Sequence, residues 1–231
     1  MKKAISLILT LVMLTVLGIP AFADVNSYYY AESWDELVEF LDDLDDGDGV
    51  YIEMAADRYG DVHPKGDTAC ISADNVELVF GGLEEFWEQG NAVDGPLFEV
   101  TGDGVTLDFN GVELQSKDDS AIVVDGDDCR IINATFSSCK NKGGYGGAIY
   151  ISDNDPGCQI IACGFDSCQA KYGGAVYIDA DNATIDHCDF KKCTSEKKDP
   201  TFMITREKAP FNTAQQTIRY GANLLPMLKK W

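Results

Sequence analysis

The sequence predicts an all-β protein, a right-handed parallel β-helix of about four to five coils with an amphipathic helix at its N-terminal end. Three observations carry that prediction. First, one segment recurs three times without gaps, at residues 129–139, 158–168 and 183–193. It aligns Ile131, Ile160 and Ile185, then Phe136, Phe165 and Phe190, then Cys139, Cys168 and Cys193. Second, the first two copies lead into Gly146-Gly147-Ala148-Ile149-Tyr150-Ile151 and Gly173-Gly174-Ala175-Val176-Tyr177-Ile178. Third, Val76-Glu77-Leu78 and Val105-Thr106-Leu107 echo the start of the repeat, so register points fall at 76, 105, 129, 158 and 183.

Each repeat holds short strands alternating apolar and polar residues, too short to bury a face alone. Stacking repeats in register gives every strand a partner above and below at about 4.8 Å, and turns equivalent positions into columns. The Ile and Phe columns are expected to point inward. An antiparallel sandwich would space strands similarly but would not need the same residue at the same place in each unit. Clusters at 125–128 and 153–156 supply turn residues. The glycine pairs suit a corner that needs unusual backbone angles or close approach.

The elements follow in order. Residues 1–23 have a basic start, an apolar run and an Ala21-Phe22-Ala23 end, the pattern of a secretory signal peptide. Residues 24–48 form a capping region. Within it Ser33-Trp34-Asp35-Glu36 is a capping box, and Trp34, Leu37, Val38, Leu41 and Leu44 repeat at helical spacing, giving a helix over 33–44. Residues 49–194 are the β-helix. Residues 195–231 lose the repeat and carry seven basic residues against three acids. They form either a C-terminal cap, with a strand at 201–205 and a helix near 212–225, or an unstructured tail left by truncation of a longer solenoid.

The formal net charge is −21, and −23 once residues 1–23 are removed, since they contain Lys2 and Lys3 but no acid. Such a chain cannot neutralise phosphates over a nucleic-acid surface, and anionic membranes repel it. No second apolar run long enough to span a membrane follows residue 23. Export is the expected localisation, secreted or at the cell surface.

Phe-x-x-Cys followed by Gly-Gly-Ala-(Ile/Val)-Tyr resembles the Phe-x-x-Asn and Gly-Gly-Ala-Ile repeats of chlamydial polymorphic membrane proteins, and more widely bacterial adhesin-like right-handed β-helix proteins. The resemblance covers residues about 76–193. It implies a surface-exposed passenger used in adhesion. The chain departs from that family in carrying Cys139, Cys168 and Cys193 where Asn is usual, and in lacking an outer-membrane barrel or a cell-wall sorting motif. The N-terminal helix followed by Gly47-Asp48-Gly49-Val50-Tyr51-Ile52 is similar to the start of β-helix polysaccharide lyases.

Four constellations could carry chemistry. Cys129/Cys158, Cys163/Cys188 and Cys139/Cys168/Cys193 form inward columns. Their spacing allows disulfides between coils, but parallel neighbours do not aim their Cβ atoms at each other, so buried thiols are the alternative. Asp125, Asp127, Asp153, Asp155, Asp179 and Asp181 follow the same strand in successive units. Stacked, they could hold Ca²⁺, the one cofactor the sequence suggests; solvated turn acids are the alternative. Tyr150 and Tyr177 fall on outward positions in the column of Glu99 and Val123, with Tyr145 and Tyr172 just before the glycine pairs. These four tyrosines could stack on a sugar ring, or simply stabilise the sheet. Catalysis has the least material. Asp186-His187 resembles a pectate-lyase motif and Asp127-Asp128 a polygalacturonase acid pair, without the accompanying His and Arg-x-Lys elements; Arg130 is the one arginine in the repeats.

An extracellular, non-catalytic β-helix that binds a glycan or a protein partner is the leading expectation. A carbohydrate-active β-helix enzyme and a remnant of a longer adhesin are the alternatives.

Overall fold

The computed structural model describes residues 25–57, 61–81, 86–88, 93, 95–152, 157–196, 202–204 and 219–220, the segments 86–88, 202–204 and 219–220 by backbone alone. It is a parallel β-solenoid of about six turns. Strands stack into sheets of seven, six and seven members, with a short sheet of three at the fourth side of the later coils. The first sheet runs from Ser27–Ala31 through Gly49–Met54, Glu77–Gly81, Thr106–Asp108, Arg130–Ile132 and Gln159–Ile161 to Thr184–Asp186. The expected columns are in register: Ile131 faces Ile160 and Ile160 faces Ile185, while Phe165 lies between Phe136 and Phe190.

The core is the space these columns enclose. The rings of Phe136, Phe165 and Phe190 stack with centroids 5.1 and 4.7 Å apart and planes within 7°. Full burial of each such side chain stabilises the fold by about 1.5–3 kcal/mol. Nearer the N-terminus Phe80, Phe98 and Phe109 make a second aromatic cluster, with Trp34 set edge-on to Phe98 at 5.6 Å.

There are six turns where the repeat suggested four to five. The additional turn is the first, whose strands are Gly49–Met54, Asp61–Val62 and Ala69–Ile71. It lies inside the 49–194 span expected for the β-helix but carries neither the Phe-x-x-Cys signature nor a glycine pair, so repeat matching gave it no register point, and its pairing with the next coil completes it.

In the last three coils the corners repeat every five residues. Asp128, Asn133 and Ser138 have positive φ, as do Gly157, Ala162 and Ser167, then Asn182, His187 and Lys192. Each side is therefore a three-residue strand with a left-handed bend. That conformation costs a non-glycine residue roughly 1–2 kcal/mol. It persists here because each bend is bonded to its counterpart: Ala162 N–H donates to the Asp186 carbonyl and Ser167 N–H to the Lys191 carbonyl. The residue after each bend is Cys or Ala, from Cys129, Ala134 and Cys139 to Ala183, Cys188 and Cys193. A small side chain is what the inside of the corner can hold.

The N-terminal end is covered by two elements rather than one. The helix Trp34–Asp42 is capped by Ser33, whose Oγ accepts from Glu36 N–H, and buries Trp34, Leu37 and Leu41. Glu36 in turn accepts from Glu32 N–H, one residue earlier than in an ideal capping box. The helix packs against Ala69–Ile71, in the six-stranded sheet. Ahead of it Ser27–Ala31 forms an unforeseen strand, paired parallel with Val50–Met54. It is anchored by Tyr28, whose hydroxyl donates to Glu53 at 2.7 Å, and by Tyr29, stacked on Phe40 at 3.8 Å.

Beyond the repeat, Phe202–Ile204 pairs with Val176–Ile178, inside the segment expected as a strand. Arg219–Tyr220 pairs with Asp189–Phe190. These two residues fall within the span 212–225 where a cap helix was expected; the rest of that span lies outside the described residues. The remainder of 195–231, beyond 196, lies outside the described residues. So do residues 1–23.

Candidate functional site

The four tyrosines singled out in the sequence come together on one surface. Tyr145 lies at the centre, its ring centroid 4.5 Å from Tyr177, 5.2 Å from Tyr172 and 5.7 Å from Tyr150. Tyr150 and Tyr177 are register partners in adjacent coils, with rings 5.9 Å apart. Tyr145 is 42 % exposed, and Tyr150 and Tyr172 are half-buried. Tyr177 occupies the outward position expected of it but is only 8 % exposed. The reason is Tyr145, which lies over it.

Three local features aim Tyr145. Lys140–Tyr145 pairs with Gln169–Tyr172, but the register shifts between Asn141 and Tyr145. The strand Lys140–Tyr145 thus carries two more residues between these points than its partner, an irregularity that includes Gly143 and Gly144 and re-aims the side chain that follows it. Beneath it lies a polar network. Asn141, buried, donates through Nδ2 to Asp119 Oδ1, Ser120 Oγ and the Tyr145 carbonyl at 3.1–3.3 Å. Ser120 Oγ donates to the Tyr145 and Gly146 carbonyls at 3.0 and 2.7 Å. Such satisfied buried networks hold a backbone in one position. Third, the glycine pairs close the corner. Gly146 and Gly173 have φ of +59° and +55°. A Cβ on Gly147 would stand 2.4 Å from the Gly174 carbonyl oxygen, so the second glycine of each pair is required by the neighbouring coil.

A second set of aspartates, which shares only Asp127 with the six singled out in the sequence, is ordered by stacking. Asp46, Asp74, Asp103 and Asp127 form a ladder along one corner. Each of the first three accepts, through Oδ1, the backbone N–H of the next at 2.9 Å. Asp125 and Asp179 continue the six-stranded sheet through their N–H groups, which donate to Val100 and Ile151. The Asp181 carbonyl accepts from Gly157 N–H, and Asp153 and Asp155 lie outside the described residues. The carboxylates of Asp46, Asp74 and Asp103 are thus partners of backbone N–H groups in the next coil. Asp127 is shifted toward protonation by partial desolvation, and then by Asp103 and Asp128 beside it.

Among the described residues, three His, Cys, Asp or Glu donor atoms approach within 4.8 Å of one another only at Asp57, Asp61 and His63 in the first coil. His63 Nε2 lies 3.6 Å from Asp57 Oδ2, and all three groups are wholly or partly open to solvent. Sequence reasoning passed over them because that coil lacks the repeat signature.

All eight cysteines are free thiols. They face inward as expected, except Cys70, which shares the outward column of Glu99. Each repeat thiol donates to a carbonyl of the preceding coil: Cys158 to Gly126, Cys163 to Ile131, Cys168 to Phe136, Cys188 to Ile160. Burial, followed by the neighbouring Cys188 sulfur, holds Cys163 well above the ordinary thiol range.

Asp186 and His187 do meet, with Nδ1 2.8 Å from Oδ1. Both are substantially exposed, 40 % and 63 % at the side chain. His187 sits in the left-handed corner column of Asn133 and Ala162. Asp127 and Asp128 likewise occupy a corner, Asp128 with positive φ. On the outer face of the seven-stranded sheet of Thr135–Ser137, a shallow open depression of 390 Å³ lies over Gly164, flanked by Glu113, Asp166, Asp189 and Lys191. Sequence reasoning had not singled it out.

Fold and surface together define a parallel β-solenoid bearing a clustered patch of four tyrosines. Comparison with protein-family models, curated proteins and solved structures gives no match. No helix among the described residues is long and apolar enough to cross a membrane.

Proposed function

We propose that the protein is an exported, non-catalytic solenoid that binds a glycan through the patch of Tyr145, Tyr150, Tyr172 and Tyr177. The observation that carries this is the position of Tyr145. It is one of only two large hydrophobic side chains in the exposed class among the described residues, and it is held over three other rings by a buried network that acts on its own carbonyl. Rings that served only to stabilise the sheet would not need this bulge. A tyrosine cluster offers apolar faces to the C–H side of a sugar and hydroxyls to its rim. Adhesion at a surface is the biological setting that the repeat resemblance supports. Calcium at the corner of Asp125, Asp127, Asp179 and Asp181 is a separate proposal, checked by whether millimolar Ca²⁺ raises the melting temperature.

The test is Tyr145→Ala, read on a glycan array and then by calorimetry with the best ligand found. Truncating an aromatic anchor costs about 2 kcal/mol of binding, so affinity falls at least tenfold. Melting should change by no more than about 1 kcal/mol, because the ring is surface-exposed. Unchanged glycan binding by a folded Tyr145→Ala protein overturns the assignment.

The short Asp186–His187 contact favours one second reading, a carbohydrate-active enzyme. Product formed from a polysaccharide by the wild type and abolished by His187→Ala would establish it.

A further inference from the structure

We propose that the ligand of the tyrosine patch is an anionic sugar chain, bearing carboxylate or sulfate groups, and that Lys140, Lys142 and Lys171 hold its charge. This rests on the glycan-binding role of the patch and names the ligand class. The lysines lie on the same three-stranded sheet that ends in the tyrosines, since the register running through Lys140↔Gln169 and Asn141↔Ala170 closes at Tyr145↔Tyr172. Asn141 and Ala170 are buried, so alternation along the strands turns Lys140, Lys142 and Lys171 outward. Lys140 and Lys142 are exposed, Lys171 is partly so, and Lys171 Nζ stands 5.4 Å from the centre of the Tyr172 ring.

Charge makes this grouping informative. The chain has 39 acids against 18 lysines and arginines, so a surface lysine has many carboxylates available to pair with. Yet among the described residues none of these three forms an ion pair with a carboxylate. Two acids are close, Asp119, whose Oδ1 accepts from Asn141 Nδ2, and Glu196, whose N–H donates to the Ala170 carbonyl, while the ladder aspartates and Glu113, Asp166 and Asp189 lie on other sides of the solenoid. Three ammonium groups without a carboxylate partner among the described residues, beside an aromatic patch, match a ligand that alternates ring faces with negative groups. The net charge of the protein does not forbid it. At physiological ionic strength charges beyond about 8 Å are screened, so the lysines at the site outweigh the distant acids.

The experiment compares the full protein with a Lys140→Gln, Lys142→Gln, Lys171→Gln triple variant by calorimetry at low and high salt. The probes are an oligogalacturonate, its neutral methyl ester, a sulfated oligosaccharide and poly-glutamate. An anionic sugar is expected to bind about tenfold more tightly than the methyl ester. That preference should weaken with salt and vanish in the triple variant, from three exposed pairs of about 0.5 kcal/mol each. Whichever anionic sugar binds better identifies carboxylate or sulfate as the group recognised. Equal binding of the methyl ester, or an unchanged preference in the triple variant, overturns the lysine assignment and leaves the tyrosine patch standing. Poly-glutamate binding as tightly as the sugars overturns the sugar class. Binding of none of the probes, with no ligand found on a glycan array, overturns both.

Discussion

At the residue scale the cysteines show how one side chain meets two demands. The inside of a five-residue corner admits only a small group, and a thiol is small, apolar and able to donate weakly to the carbonyl one coil below. Ser116 stands near the same place in an earlier coil, where its hydroxyl donates to Gly147 O. Raised thiol pKa values have a definite consequence for pH. Cys163 is held up by burial and by Cys188, and Cys168 by the sulfurs of Cys139 and Cys193 and by burial. A native pKa above the unfolded value of about 8.5 means the folded state keeps its proton longer. That contribution to stability is fully present below about pH 8.5 and is lost as pH rises through it toward the native value. Because reagent cannot reach them, the six buried thiols of the native protein should alkylate slowly at neutral pH, with Cys70 and Cys193 reacting first, and all eight should label after denaturation. Fast native labelling of Cys163 or Cys168 would contradict the buried-thiol core.

Among elements, the N-terminal helix is the clearest case of local chemistry with a tertiary purpose. Ser33 terminates it, and its apolar stripe lies on the six-stranded sheet. Trp34 reaches furthest: its Nε1–H donates to the Asp67 carbonyl at 2.8 Å and its ring meets Phe98 in the second coil. Ser33→Ala should destabilise the protein by about 1 kcal/mol through loss of the cap. Trp34→Ala should cost about 3–5 kcal/mol, because it opens a cavity at the end of the core. Urea unfolding of the two variants measures both. Equal small effects would mean that the helix does not close the solenoid.

The whole molecule is a stack in which each coil touches only its neighbours, carrying a large excess of negative charge. The aspartate ladder places acids of successive coils close together along one corner, and this adds repulsion that the fold must overcome. Screening should therefore stabilise the protein: its melting temperature is expected to rise as sodium chloride increases from low to physiological strength. A melting temperature independent of salt would show that the ladder's hydrogen bonds dominate its charge.

The residues alone determined the stacking, the inward Ile and Phe columns, the glycine corners and the outward tyrosines. Each follows from a periodicity that local sequence carries: alternation along a strand, and identity at a fixed spacing between coils. Tertiary structure decided three other things. The first coil and the strand Ser27–Ala31 exist because of the coil they pair with, and neither repeats a motif. The aspartates became a ladder because stacking places a backbone N–H of one coil within reach of a carboxylate of another. Tyr145 came to lie over Tyr177 because of a register shift between two strands and the contacts of Asn141 and Ser120 beneath it. A register shift and a cross-coil hydrogen bond are relations between residues more than twenty positions apart, and no pattern within one repeat encodes them.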